Sequence, residues 1–217
     1  MPRPFSFPMP VTRHSLIDQL LIAADEALRT LSGSASPARP SPARAEPQGG
    51  ERAVSAGLMR VNHSGEICAQ ALYSGQVLFA RDARVRAALR DAAAEERDHL
   101  AWCRGRLEEL GARPSVLDPF WYAGSFALGM ASGLAGDRWS MGFLTETEAQ
   151  VERHLEGHLE RLPEDDHRSR AIVAQMREDE NRHGATGKAL GAAELPPPVK
   201  AAMRIASKVM TGAAYYV

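Results

Sequence analysis

The sequence predicts an all-α fold: a four-helix bundle with a long crossover and additional amphipathic helices at its N- and C-terminal ends. Two short runs, Glu96-Arg97-Asp98-His99 and Glu180-Asn181-Arg182-His183, repeat the pattern Glu-x-x-His, in which a carboxylate and an imidazole share one helix face. Each run has a further glutamate upstream, Glu66 at 30 residues before Glu96 and Glu148 at 32 before Glu180. Apolar residues recur at the helical period around all of them.

The elements follow in chain order. Residues 15–31 form an amphipathic helix with apolar positions Leu16, Leu20, Ala24, Leu28 and Leu31, expected to dock on the bundle or a partner. Its acidic residues argue against a transit peptide, and its apolar run is too interrupted for a secretory h-region. Residues 32–51, with Pro37, Pro40, Pro42, Pro47, Gly49 and Gly50, read as a flexible linker. The chain therefore divides into 1–51 and a bundle domain over 52–217.

Within the bundle the midpoint of Glu66 and Glu96 is Arg81-Asp82, and that of Glu148 and Glu180 lies in the helix-breaking run Leu162-Pro163-Glu164-Asp165-Asp166. Tight turns there give hairpins with arms of about 15 residues, roughly 22 Å, so both glutamates of a hairpin reach one level. The second helix carries the stripe Leu89, Ala92, Glu96, His99, Cys103, Leu107, Leu110. The third carries Met141, Leu144, Glu148, Val151, Leu155, Leu159, Leu162, and the fourth Ile172, Met176, Glu180, His183, Gly187, Leu190. Each acid interrupts an apolar face. Glu146 and Glu178, about 200° round the helix from the stripe acids, are expected to face water, and Glu152 is a reserve candidate one turn from Glu148.

Two such hairpins packed together bring Glu66, Glu96, His99, Glu148, Glu180 and His183 to the middle of the bundle, the ferritin-like two-metal pattern. Unpaired buried carboxylates are costly, and these stripes contain almost no basic residue, so two divalent cations are the expected neutralisers. Carboxylate with imidazole suits iron or manganese. Glu95 and Asp179, each directly before a Glu-x-x-His run, are candidates to accept the second N–H of a ligating histidine. His63, Gln70 and Tyr73 lie at one- or two-turn spacing from Glu66 on the same helix.

Composition bounds the alternatives. The 217 residues, 44% hydrophobic and 24% charged, suit one substantial core, and a net charge of −1 gives no footing for nucleic acid. Cys68 and Cys103 form no Cys-x-x-Cys pair and are expected as buried free thiols in a reducing compartment. That absence counts against a ferroxidase or peroxidase of the rubrerythrin type. A non-catalytic helical adaptor at a membrane surface, with the buried acids specifying packing, is the alternative of a different class.

The runs Arg60-Val61-Asn62-His63-Ser64-Gly65-Glu66, Glu96-Arg97-Asp98-His99-Leu100, the Glu148 helix and Asp179-Glu180-Asn181-Arg182-His183 resemble the demethoxyubiquinone hydroxylase family of membrane-associated di-iron monooxygenases. The resemblance covers roughly residues 52–217 and leaves the N-terminal segment outside it. It implies that Glu66, Glu96, His99, Glu148, Glu180 and His183 hold two irons. It further implies O₂-dependent hydroxylation of the ring of a polyprenylated demethoxyubiquinol (2-polyprenyl-3-methyl-6-methoxy-1,4-benzoquinol). The implied setting is the cytoplasmic face of the bacterial inner membrane, as a peripheral protein that meets other ubiquinone-biosynthesis proteins. No Gly-x-Gly-x-x-Gly fingerprint occurs, so electrons come from a separate reductase or from NADH bound without a Rossmann domain.

Between Glu96 and Glu148 the stretch Pro119 to Gly136 carries no charge for 18 residues, the threshold for a membrane span. Its glycines, leading proline and immediate Asp137-Arg138 argue for interfacial insertion instead, with Phe120, Trp121 and Tyr122 at the lipid surface and substrate entrance. Lys200, Arg204 and Lys208 recur every four residues beside Val199, Met203, Ala206 and Met210, a basic amphipathic helix of membrane-surface type.

Overall fold

The computed structural model describes residues 16–34, 37–43 and 52–217. Among them the chain forms helices and no strand: α1 (Leu16–Ser32), α2 (Arg52–Phe79), α3 (Ala83–Glu109), α4 (Asp118–Leu134), α5 (Asp137–Arg161), α6 (His167–Ala189) and α7 (Pro197–Tyr216). The hairpins α2–α3 and α5–α6 pack together as the bundle, α4 lies along α2 as the crossover, and α1 and α7 are the additional terminal helices.

Both turns fall where the equal-arm argument puts them. Between α2 and α3, Asp82 caps α3 by accepting from the Arg84 backbone N–H at 2.7 Å. The Asp137 carboxylate, at the start of α5, accepts from the backbone N–H groups of Arg81 and Asp82 at 3.0 and 2.7 Å. This ties the end of the crossover to the first turn, so the two hairpins share one register. Between α5 and α6, Asp166 caps α6 by accepting from Ser169 N–H at 3.0 Å.

The glycines of the apolar crossover are explained by packing. A Cβ on Gly129 would stand 2.2 Å from the Leu72 carbonyl oxygen, and one on Gly75 would stand 2.5 Å from that of Phe126, so α4 seats on α2 almost backbone to backbone. Gly136, at φ +105°, lets the chain leave α4 and enter α5 in a conformation other residues rarely adopt. No described helix is long and apolar enough to cross a membrane.

Two N-terminal expectations need correction. In α1 the packed face is Ala23, Ala27, Thr30 and Leu31, while Ala24 and Leu28 of the expected stripe are exposed, Leu28 at 70%. The side chains of Leu16 and Leu20 lie outside the described residues. Small residues let α1 approach the bundle closely, and its large apolar residues, Ile17, Leu21 and Leu28, are left facing outward. Residues 37–43, read as a flexible linker, are held against α3 and α6 by Ala38 and Arg39, and Ala43 packs on the core; the rest of 32–51 is described only as far as residue 34.

Candidate metal centre

The apolar core is split by a polar level. Leu58, Met59, Trp102, Cys103, Leu107, Leu155, Ile172 and Met176 fill one end, and Leu72, Tyr73, Val85, Leu89, Met141 and Leu144 fill the other. On each bundle helix the acid falls between the two: Glu66 on α2, Glu96 on α3, Glu148 on α5, Glu180 on α6. All are buried, as are His99 and His183.

The six side chains form two overlapping groups, Glu66, Glu96, His99, Glu180 and Glu96, Glu148, Glu180, His183, with ligand-type atoms inside each group within 4.8 Å of one another. Glu96 and Glu180 belong to both. His99 Nδ1 lies 2.9 Å from Glu96 Oε2 and 3.3 Å from Glu180 Oε1, and His183 Nδ1 lies 3.2 Å from Glu180 Oε2 and 3.3 Å from Glu96 Oε1. One oxygen of each glutamate is nevertheless buried without a hydrogen bond. Four bare oxygens facing two imidazoles in a dry core suit cations better than they suit one another.

The electrostatics agree. Burial, then repulsion from Glu96, raises Glu66 well above the ordinary carboxylate range; burial, then Glu180, does the same to Glu148. Burial alone would raise Glu96 too, but His99 and His183 hold it far below. Burial alone would lower His183, yet Glu180 and Glu96 push it up to about 11. The protein by itself settles the cluster by sharing protons, which a bound metal displaces.

The outer nitrogens face the two acids named from sequence in a crossed arrangement, with a hydrogen bond at His99 and only a close approach at His183. His99 of α3 directs Nε2 at Asp179 of α6, 2.9 Å from Oδ2, and His183 of α6 directs Nε2 at Glu95 of α3, 3.4 Å from Oε2. With Nε2 turned to Asp179, Nδ1 is the His99 nitrogen left to hold a cation among the carboxylates. Glu152 stays outside the cluster and accepts from Asn181 Nδ2 at 2.8 Å.

Other expected neighbours sit elsewhere. His63 Nδ1 lies 3.1 Å from Asp118 Oδ2, and Ser64 donates to Asp118 Oδ1 at 2.6 Å, tying α2 to the start of α4. Gln70 donates to the Ala93 carbonyl, and Tyr73 is buried in the core. Glu178 faces water as expected, but Glu146 does not: Lys200 of α7 lies over it at 3.6 Å, leaving the carboxylate side chain 13% exposed. Of the aromatic trio, Phe120 is exposed and Trp121 half-buried, whereas Tyr122 is buried with Ile67, Ala71 and Leu100 and stacks on Phe126. Successive helix residues diverge by about 100°, so three in a row cannot all face one surface.

Arg39 and Asp98 were not singled out from the sequence. Arg39 reaches from outside the bundle to Asp98 and Asp179, and Asp98 is buried although it stands two positions from Glu96. A proline-rich segment carries no periodicity that would point to such contacts.

The sequence model of the family described as "Ubiquinone biosynthesis protein COQ7" matches residues 53–214, a span that includes all six clustered side chains. The chain belongs to this family. Among its relatives, a Chromobacterium violaceum protein named 3-demethoxyubiquinol 3-hydroxylase is 56% identical over 206 residues, covering 93% of this chain and 100% of the relative. Proteins of the same name from Dechloromonas aromatica and Cupriavidus necator are each 58% identical, covering 91% and 92% of this chain and 98% and 99% of theirs. Coverage this high cannot be contained in residues 52–217, so the similarity to these COQ7-family proteins also takes in part of the N-terminal segment.

Proposed function

We propose that this COQ7-family chain hydroxylates the ring of a demethoxyubiquinol, using O₂ and two irons held by Glu66, Glu96, His99, Glu148, Glu180 and His183. The observation that carries the reading is the pair of interlocked ligand groups with four bare buried oxygens, in a chain more than half identical to proteins of that name. Glu96 and Glu180, common to both groups, would take part in holding both ions. Iron held by these six residues would supply the activation of O₂ that ring hydroxylation needs.

The protein's own part is ligation, orientation and exclusion of water. Asp179 holds the His99 ring from its far nitrogen, and Glu95 stands ready to do so for His183. The apolar clusters on both sides keep the level dry, which strengthens each carboxylate's hold on a cation. A pocket whose lining combines Ala88, Ala92, Met141, Leu144 and Leu190 with the charged Arg84, Asp91, Glu95 and Arg182 also takes in His183. The reductant, with no dinucleotide fingerprint in the chain, is NADH bound in another way or a separate reductase.

A peripheral position on the membrane, at the cytoplasmic face, suits a substrate with a polyprenyl tail. Support comes from outward apolar residues on three helices: Ile17, Leu21 and Leu28 of α1, Phe120, Leu128 and Leu134 of α4, and Ile205 and Val209 of α7. Arg204 and Lys208 are exposed beside the last two, while Lys200 is taken up by Glu146 and Glu194. Liposomes containing anionic lipid should float wild-type protein and leave Phe120→Glu/Leu128→Glu behind; equal flotation would refute the α4 contact.

The function itself is tested by mass spectrometry of the quinone pool in cells lacking the protein. A precursor missing one methoxy group should accumulate, cured by wild type but not by Glu96→Ala. A normal quinone pool would sink the hydroxylase reading and leave the ferroxidase and adaptor alternatives.

A further inference from the structure

The segment Pro37-Ala38-Arg39-Pro40 precedes the bundle, yet it makes a dense set of contacts beside the metal level. The Ala38 backbone N–H donates to Asp98 Oδ1 at 2.6 Å, and Arg39 Nε donates to Asp98 Oδ2 at 2.8 Å. Arg39 Nη1 donates to Asp179 Oδ2 at 2.8 Å. The same oxygen lies 2.9 Å from His99 Nε2. Trp102 donates from Nε1 to the Arg39 carbonyl at 3.1 Å and carries the guanidinium over its ring at 4.9 Å, while its own ring lies 5.3 Å from that of His99.

Three physical points give these contacts a direction. Asp98 and Asp179 are almost fully buried, and they sit on different helices, α3 and α6, so one planar guanidinium fork joins the two hairpins across the metal level. The only charged partner of Asp98 within ion-pair distance among the described residues is Arg39, so undocking the segment would leave a buried unpaired carboxylate. Pro37, Pro40 and Pro42 each fix their own φ, and Pro40 disfavours the helical region at Arg39, so the segment has less conformational freedom to lose on docking.

We propose that residues 37–43 are a latch on the metal centre, and that Arg39 is a positioning residue which, through Asp179, sets the His99 imidazole for its ion. The proposal rests on the two-metal reading above. It predicts asymmetry. Arg39 braces the group of Glu66, Glu96, His99 and Glu180, whereas His183 of the other group faces Glu95, which Arg39 approaches only at 3.9 Å. Loosening the latch should therefore weaken one ion and spare the other.

The test uses full-length protein loaded anaerobically with ferrous iron. Transfer of iron to a coloured chelator is followed in wild type, Arg39→Gln, Arg39→Lys and Asp98→Asn, with Glu96→Ala as reference. In Arg39→Gln about half the iron should leave about 10- to 100-fold faster than in wild type, the range expected when a histidine ligand loses its outer support, with the other half nearly unchanged. Arg39→Lys, which keeps the charge but lacks the fork, should restore only part of the retention. Asp98→Asn, which frees the α3 anchor and leaves Asp179 and His99 untouched, should shift in the same direction by less. It also carries the test if Arg39→Gln does not fold. Uniform acceleration of all the iron, or wild-type release in the folded variants, would overturn the latch. Two irons retained by Glu96→Ala would instead overturn the metal reading beneath it.

Discussion

At the metal level the bundle buries four glutamates with two histidines, whereas about two turns beyond His99 on the same helix it buries Arg106. The Arg106 guanidinium is met by Ser169 Oγ and Asp166 Oδ1, each at 2.9 Å, and by Glu109 Oε2 at 2.8 Å. There a cation from α3 meets an anion from the α6 cap, and the protein neutralises itself. At the metal level no Lys or Arg among the described residues pairs with the four glutamates, and one oxygen of each is left without a hydrogen bond. Histidines register the same contrast. His99 and His183, among acids, are raised against the effect of burial. His154 and His158, on α5 near Arg161 and without a carboxylate, are lowered by burial to about 4 and about 2. Buried charge is therefore structural where its partners come from the chain, and points to an external cation where they do not.

The largest effect that could break this contrast is at a shared acid. Glu96→Ala should cut bound iron from two per chain to below one and lower quinol hydroxylation by more than about a hundredfold, beyond what loss of an outer residue does. Metal analysis of purified protein beside a single-turnover assay decides it, and retention of both ions would erase the distinction between the two levels.

Next is Arg106→Met, which strands Asp166 in the core. Breaking a buried pair from one side should destabilise the fold by about 3–5 kcal/mol in urea unfolding. Iron per folded chain should stay at the wild-type ratio, because that site is structural. A selective loss of iron with unchanged stability would reverse the assignment.

A smaller effect tests the histidines. Folded His158 stays neutral down to about pH 2, while in the unfolded chain it takes up a proton near pH 6.5. Between these values the unfolded state binds more protons, so stability falls as pH drops below 6.5. The contribution is about 2 kcal/mol from pH 6.5 to 5. Urea titrations should show a shallower acid slope in His158→Gln than in wild type. An identical slope would mean that His158 is not held neutral.

The smallest change expected is at Glu178, exposed and two residues before Glu180. Glu178→Gln should alter stability by less than about 0.5 kcal/mol and leave iron content as in wild type, so that position round the helix, and not the mere presence of acid, separates ligand from surface.

Periodicity was enough to pick out Glu96, Glu148 and Glu180, because a residue that interrupts an apolar stripe has nowhere else to point, but it did not mark the buried Asp98. It failed at Glu146, where α7 covers a face that the α5 helix alone would leave to water, and at Tyr122, where the apolar length of α4 was legible but its packed side was not. The docked face of α1 was misread for a related reason: close approach selects the small residues Ala23 and Ala27 over the larger Leu28.

The sequence by itself determined the helical class, both hairpin turns and the six side chains that converge, since helix period, the equal spacing about Arg81-Asp82 and the breaker after Leu162 are all legible along the chain. Only the tertiary structure decided the crossed pairing of Asp179 with His99 and Glu95 with His183, the backbone-close seat of α4 on α2, and the reach of Arg39 across α3 and α6. Those contacts join residues far apart in sequence, and no local period encodes which distant side chain will fill the space beside a buried charge.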